Sequence, residues 1–409
     1  MEKSIFFRLS DQISWEGYFC YKQEKHHLTR YEERDLRNFI NNREYLVVVE
    51  KLKAGGHFSY PEKKLIRKMH TDKKRTVYTF PREENYVLKF MTFMLLRKYD
   101  YVLQDNLYSF RTNYGVRKAM AKLLSIKGLS SKYSYKVDIS NYFNSINVGR
   151  MTEMLDEIMS DEPEILRLLK ELLNNPYVID GGSIICEEKG VMAGTPFAVF
   201  LANIYLTDLD KAFKESGCDY ARYSDDIIIF ADTHEELEMR AESIRLMLDR
   251  FGLKVNEKKE IYSEPGQPWS FLGIEYNNGT VNVSPVSKEK LKAKIRRRAR
   301  SIKRWQVKKD ADSERAVKAF LRAMNRKFFD PDSSHELTWS RWYFPLISTD
   351  ETLHEIDLYV QDWARYLAVG THSKKRYSMN YDRLKDLGYI SLVNEYWKYR
   401  KECNNVPSD

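Results

Sequence analysis

The chain has 409 residues, 43% of them hydrophobic and 31% charged, and its 68 Lys and Arg outnumber 59 Asp and Glu to give a formal charge of +9. That length and apolar content suffice for two or three connected cores, and the basic excess suits a nucleic-acid partner. No apolar run of transmembrane length occurs, and the start Met1-Glu-Lys-Ser-Ile-Phe-Phe lacks a hydrophobic stretch of secretory length. Cys20, Cys186, Cys218 and Cys403 show no metal-ligand spacing with one another or with the eight histidines, so a cytoplasmic enzyme with reduced thiols, no zinc site and no membrane association is expected.

Residues 1–60 are charged and aromatic, carry a helical stretch over Tyr31–Asn41 and close on Ala54-Gly55-Gly56, which reads as a turn after an N-terminal extension. Residues 61–134 hold the basic cluster Lys63-Lys64, Arg67-Lys68 and Lys73-Lys74-Arg75, then a strand over Thr76–Phe80, an amphipathic helix over Glu84–Arg97 and the run Tyr108-Ser-Phe-Arg111-Thr-Asn-Tyr-Gly115. The segment 135–283 contains an insertion at 148–190, with two helices over roughly Gly149–Asn174 and a hairpin over Tyr177–Ile185. Gly190-Val-Met-Ala-Gly194 opens into an apolar helix for which Thr195 is the expected N-cap and Pro196 the first helical position. Gly194, without a side chain, allows close approach of a nucleotide or template strand.

From Ser284 the chain turns helical, and 284–409 reads as a basic helical unit with a C-terminal extension. Between Lys288 and Lys309 stand twelve basic residues and one acidic residue. Leu291, Ile295, Ala299 and Ile302 recur there at helical spacing, so one face packs while Lys292, Arg296, Arg297, Arg298, Arg300, Lys303 and Arg304 form a ridge suited to duplex phosphates. A solvated helix face is the plain alternative. Trp305, Trp339, Trp342, Trp363 and Trp397 are expected as core anchors.

The chemistry concentrates in Tyr220-Ala-Arg-Tyr-Ser-Asp-Asp-Ile-Ile-Ile-Phe230, where Asp225 and Asp226 sit at a tight turn between two β-forming runs. Burying adjacent like charges beside apolar strands is costly unless a cation or hydrogen bonds compensate, so the pair is a candidate metal site. Tyr135-Lys-Val-Asp138 delivers a third carboxylate at the end of another β-like run, and three such groups can hold the two divalent ions that nucleotidyl transfer needs. Asp138 and Asp225 are the expected bridging ligands, with Asp226 set behind them or toward the primer end.

These three segments resemble motifs A, B and C of reverse transcriptases, in order and spacing. Gly252-Leu-Lys-Val-Asn-Glu-Lys258-Lys259 resembles motif D, and Trp269-Ser-Phe-Leu-Gly273 the primer-grip hairpin. Leu201-Ala-Asn-Ile-Tyr-Leu206 and Ala221-Arg-Tyr-Ser-Asp-Asp226 are most similar to the prokaryotic branch of group II intron enzymes, retrons and stand-alone defence-associated enzymes. Met192-Ala193-Gly194 stands where that branch usually carries Pro-Gln-Gly, and the Val-Thr-Gly element usual in retron enzymes does not occur.

The resemblance implies an α+β right-hand polymerase with fingers at 61–134, palm at 135–283 and thumb from 284. It implies RNA-directed DNA synthesis from dNTPs with two magnesium ions, a cDNA duplex as product, and a structured noncoding RNA as partner in phage defence. It also implies that the Ile139 backbone joins Asp138, Asp225 and Asp226 around the metals, and that Arg111 lies near the incoming nucleotide. Lys73, Lys74, Arg75 and Arg111 are candidates for triphosphate charge compensation, with Gly194 beside the template or base and Lys258 or Lys259 as proton donor to pyrophosphate. Phe143 would fill the space of a ribose 2′-hydroxyl and select deoxynucleotides; a core-packing Phe is the alternative. The missing motif B glutamine leaves two other readings open: untemplated or protein-primed synthesis of the abortive-infection type, and an RNA-binding scaffold or toxin with a vestigial polymerase.

Overall fold

The computed structural model describes residues 3–24, 28–67, 74–187, 190–329 and 338–404. Lys68 and Lys73 of the basic cluster lie outside the described residues. The chain divides into two compact units, residues 1–25 with 31–267, and 26–30 with 268–409.

In the first unit, Ser4 caps α1 (Ile5–Ser10), its hydroxyl accepting from the Phe7 amide. Helices α2 (Gln12–Glu24), α3 (Arg30–Asn41) and α4 (Tyr45–Lys53) follow. β1 (Glu62–Arg67) and β2 (Lys74–Thr79) pair antiparallel and lead into α5 (Arg82–Lys98). Trp15 has no exposed surface; its ring stacks on Tyr45 at 5.1 Å and lies 4.3 Å from Phe90 of α5. The N-terminal helices thus share a core with α5.

Next come α6 (Val116–Leu124), β3 (Tyr133–Asp138), α7 (Tyr142–Ser145), α8 (Val148–Ile158) and α9 (Pro163–Asn174). The expected hairpin forms as β4 (Tyr177–Asp180) and β5 (Ser183–Cys186), turning at Gly181-Gly182. It does not stand alone: β4 runs parallel to β1, giving a sheet ordered β2-β1-β4-β5. Helix α10 (Ala198–Tyr205) starts two residues after the expected first position at Pro196, because the Thr195 hydroxyl turns back to the Met192 carbonyl at 2.8 Å instead of capping.

After α11 (Thr207–Glu215), β6 (Asp219–Tyr223) and β7 (Asp226–Ala231) form a hairpin, followed by α12 (His234–Arg250) and β8 (Ile261–Ser263). These strands make the second sheet, ordered β6-β7-β3-β8, all antiparallel. Ile227 to Phe230 have no exposed surface, which is what an unbroken apolar run in a covered central strand predicts.

In the second unit, β9 (Trp269–Phe271), β10 (Ile274–Asn277) and β11 (Thr280–Val283) form an antiparallel meander. Ser284 caps α13 (Pro285–Lys309), which buries Leu291, Ile295, Ala299 and Ile302. That face packs on α14 (Ser313–Phe328) and α16 (Glu351–Val369); α15 (Trp339–Tyr343), α17 (Tyr381–Asp386) and α18 (Leu392–Asn404) complete the unit. The long segment of this unit starts at Pro268, and the Val281 amide and carbonyl both bond Ser348, tying the meander to the helices. Of the tryptophans, Trp363 is buried, Trp305, Trp339 and Trp342 are half-buried, and Trp397 is 50% exposed with its indole N–H on Asp350.

Gly194 has φ +97°, and a Cβ there would lie 3.0 Å from Val77 Cβ and 3.3 Å from the Tyr78 backbone. The close approach it permits is to β2 of its own chain, sealed by the Tyr78 amide donating to the Ala193 carbonyl at 2.9 Å. Gly194→Ala should therefore destabilise the first unit by about 1–3 kcal/mol through backbone strain and contact with β2. A urea melt that overlays wild type would show that the loop can move away freely.

Candidate active site

The β3–β7 register sets Asp138 directly opposite Asp226, so both side chains leave the same face of the sheet at its end. Asp225 occupies the two-residue turn between β6 and β7, and its carbonyl accepts from the Ile139 amide at 3.0 Å. Ser224, the other turn residue, has φ +59°, the sign that a two-residue hairpin turn needs at its first central position and that a residue with a Cβ adopts only under constraint. Burial, reinforced by the charges of Asp138 and Asp226, pushes the Asp225 carboxyl up to about 6.

Lys259, Lys136 and the Asn256 amide answer these charges. Lys259 Nζ donates to Asp138 Oδ2 at 2.6 Å, and Asn256 Nδ2 reaches Asp138 Oδ1 at 3.5 Å. Lys136 Nζ lies 3.8 Å from Asp226 Oδ1, two residues along β3 on the same face. The loop carrying Lys259 is held beside the site by a β-bridge between Ile139 and Val255 and by Ser140 and Asn256 amides donating to Lys254 and Asp138 carbonyls.

Behind the turn lies a separate, buried ion pair. Arg222 has no exposed surface and donates to both carboxylate oxygens of equally buried Asp210, at 2.8 and 2.6 Å. It also donates to the carbonyls of Asn203 (3.0 Å) and Ser224 (3.2 Å), while Tyr220 Oη donates to Asp210 Oδ1. Ser109 Oγ accepts from the Ser224 amide and donates to Asn203 Oδ1, and the Asn203 amide returns a hydrogen bond to the Ser109 carbonyl. Sequence reasoning passed over Arg222 and Asp210. The available signal was an arginine placed mid-strand among residues that all read as buried, which demands an acidic partner.

The other expected residues distribute unevenly. Arg111 is not free for a nucleotide: 8% exposed, it forms a bidentate pair with Asp100 at 2.8 and 3.0 Å, donates to the Gln104 and Leu107 carbonyls and lies over the Tyr114 ring. The physical reason is that a buried guanidinium takes every local acceptor that its own loop supplies. Arg75 and Lys74 stand exposed in β2, on the sheet that does not carry the carboxylates. Lys258 is exposed next to Lys259, and Lys259 is the one bonded to Asp138. Phe143 is half-buried at the start of α7, whereas its neighbour Tyr142 is the buried anchor, donating to the Ala202 carbonyl. In α13, Lys292 is neutralised by Glu355 at 3.0 Å. Among the described residues no carboxylate lies within ion-pair distance of Arg296, Arg297, Arg298, Arg300, Lys303 or Arg304.

The sequence profile described as "Reverse transcriptase (RNA-dependent DNA polymerase)" matches residues 66–276, just over half of the chain. The chain belongs to the reverse transcriptase family. Its α+β fold is accordingly that of a right-hand polymerase. A relative, the Retron Ec86 reverse transcriptase of Escherichia coli, is 22% identical over 226 residues, covering 54% of this chain and 64% of the retron enzyme's own length. Among solved structures, apo telomerase from Candida tropicalis is similar at a TM-score of 0.48 and 12% identity, over 81% of this chain and 68% of that one. Telomerase from Candida albicans in complex with a fragment of telomeric RNA gives 0.44 and 12%, over 91% and 71%.

Reverse transcriptases bind RNA template and nucleotides and generally use divalent metal ions. The carboxylates of Asp138, Asp225 and Asp226 are oxygen donors of the kind a hard divalent cation takes, and such an ion would offset the burial and neighbouring negative charge that raise Asp225. Among the described residues no three acidic, His or Cys groups close on one point; Lys259, 57% exposed along its side chain, supplies the positive charge beside Asp138.

Arg222→Met would leave the Asp210 carboxylate buried and unpaired, and should cost about 3–5 kcal/mol of stability. Arg222→Lys should fall between that variant and wild type, since it keeps the charge but not the fork. Chemical denaturation measures all three, and equal midpoints would show that the pair does not hold the turn.

Proposed function

We propose that this protein is an RNA-directed DNA polymerase that makes cDNA from dNTPs on an associated structured noncoding RNA, using two magnesium ions, in defence against phage. The observation that carries the polymerase reading is the register that brings Asp138 opposite Asp226 with Asp225 buried in the adjoining turn. Magnesium held by Asp138, Asp225, Asp226 and the Ile139 carbonyl would supply activation of the primer 3′-hydroxyl and charge neutralisation on the triphosphate. The chain's own groups do the remaining work. Lys259 Nζ would give a proton to the departing pyrophosphate, and its bond to Asp138 supports it over Lys258. The half-exposed Phe143 ring would exclude the 2′-hydroxyl. Uncompensated cations on α13 would take duplex phosphates.

The defence role and the noncoding RNA partner rest on the likeness of motifs B and C to stand-alone defence-associated enzymes. Untemplated or protein-primed synthesis is favoured by one observation: Ala193, whose carbonyl accepts from the Tyr78 amide at 2.9 Å, stands where an amide side chain would position the template. Sequencing the product separates the readings, since a copy of a copurifying RNA supports templated synthesis and a sequence matching no RNA supports the other.

Asp225→Ala with Asp226→Ala should abolish magnesium-dependent dNTP incorporation while the protein still melts cooperatively, because relieving clustered negative charge rarely unfolds a domain. Full-length synthesis by the double variant would end the polymerase reading.

Phe143→Val should admit ribonucleotides without a matching loss of dNTP turnover. A core role predicts something different: truncating a buried Phe removes about 3–5 kcal/mol and lowers all activity together. Paired dNTP and rNTP incorporation rates, taken with thermal melts, distinguish the two, and a variant that melts normally yet still excludes rNTPs removes Phe143 from the gate.

A further inference from the structure

The two ends of α13 are balanced differently. At its N-terminal half, Lys288 and Lys292 are both held by Glu355 of α16, at 2.8 and 3.0 Å. At its C-terminal half, Arg300, Lys303, Arg304 and Lys308 converge on a cavity of about 510 Å³ whose remaining lining is Val307 and Tyr366. No carboxylate lines this cavity, and among the described residues none lies within ion-pair distance of those four cations; Lys303 donates only to the neutral amide of Gln306 at 3.0 Å.

Four like charges around one hollow repel each other, and the fold supplies no counter-charge. The apolar part of the lining is just as specific. Val307 is 71% exposed, an unusual exposure for an aliphatic side chain set among cations. The Tyr366 ring is stiffened by its neighbours, stacked on His372 at 4.4 Å and 12° and edge-on to buried Trp363 at 5.3 Å, and neither of these lines the cavity. A flat ring held rigid beside an aliphatic side chain and ringed by guanidinium and ammonium groups matches a molecule with an aromatic face and anionic ends.

We propose that this cavity binds one unstacked nucleotide of RNA, its base against Tyr366 and Val307 and its flanking phosphates on Arg300, Arg304 and Lys308. A base inside a duplex has no free face, so the preferred ligand is a single-stranded stretch or a loop. The site is separate from the carboxylates and deepens the nucleic-acid reading of α13, on which it rests: the phosphate binding expected there becomes one end of a pocket that also reads a base.

The test is equilibrium binding, by fluorescence anisotropy, of a labelled eight-nucleotide oligouridylate and of a labelled blunt RNA duplex to the full chain. Tyr366→Ala should weaken oligouridylate binding roughly fivefold to a hundredfold, the loss expected for one stacked base, and leave duplex binding unchanged. Tyr366→Phe should bind like wild type. Tyr366→Leu, which keeps bulk against Trp363 but no flat ring, should behave as the Ala variant, so that loss through misfolding is distinguishable. Arg304→Glu should weaken both probes and flatten the salt dependence of each by about 0.7–0.9 for every phosphate that the variant no longer neutralises. Competition with free UTP identifies the source of the nucleotide: displacement only at far higher concentration than unlabelled oligouridylate supports an RNA strand, whereas equal potency overturns that in favour of a mononucleotide site. Unchanged oligouridylate binding by both Tyr366→Ala and Tyr366→Leu, or equal weakening on oligouridylate and duplex, overturns the pocket. Because no nucleotide is incorporated in this measurement, its failure leaves the polymerase reading intact, and failure of dNTP incorporation leaves the pocket intact.

Discussion

The site depends on a single buried ion pair. Arg222 and Asp210 have no contact with solvent, and burial alone would favour the neutral form of each. Asp210 more than reverses that effect on Arg222, so the guanidinium stays charged and its donors are spent on fixed acceptors. Those acceptors belong to three separate pieces of chain: the carboxylate on α11, the Asn203 carbonyl in α10 and the Ser224 carbonyl in the turn. Because an unpaired buried charge is so unfavourable, the three pieces cannot drift apart independently. A turn residue with φ +59° is thereby kept in place without glycine, and Asp225 with it.

In front of the turn the logic is reversed. At the open end of the sheet Asp138 is bonded to a lysine that is itself exposed and Lys136 lies 3.8 Å from Asp226, while Asp225 remains raised to about 6. A rigid rear and a front where burial and like charge still raise a carboxyl suit a site that takes up cations, since the protein supplies position without filling the positive charge itself. Arg111 illustrates the same division. It belongs to the rigid part, locked on Asp100 and on the Gln104 and Leu107 carbonyls.

The second unit repeats the contrast along one helix. Glu355 neutralises the start of α13, and the end of that helix is left to its cations, Tyr366 and an exposed valine. Charge that packing has not answered is available to a polyanion, and its concentration at one end gives the helix a direction along which a nucleic acid can be oriented.

Much of this was legible in the sequence because it is periodic or local. The buried stripe of α13 fell on Leu291, Ile295, Ala299 and Ile302 as helical spacing requires, and the apolar run after Asp226 produced a covered strand. The Gly181-Gly182 hairpin formed where its turn residues predict, and a tight turn formed at Ser224-Asp225 with Asp226 opening β7. What the sequence left open was partnership across distance. That β4 joins β1, that Gly194 is needed against β2, that Arg222 is balanced by Asp210 and that Lys259 rather than Lys258 meets Asp138 are facts of tertiary packing. Periodicity says which side of an element is buried, but a charge or a glycine takes its meaning from whatever the fold brings against it, and only the folded chain decides that.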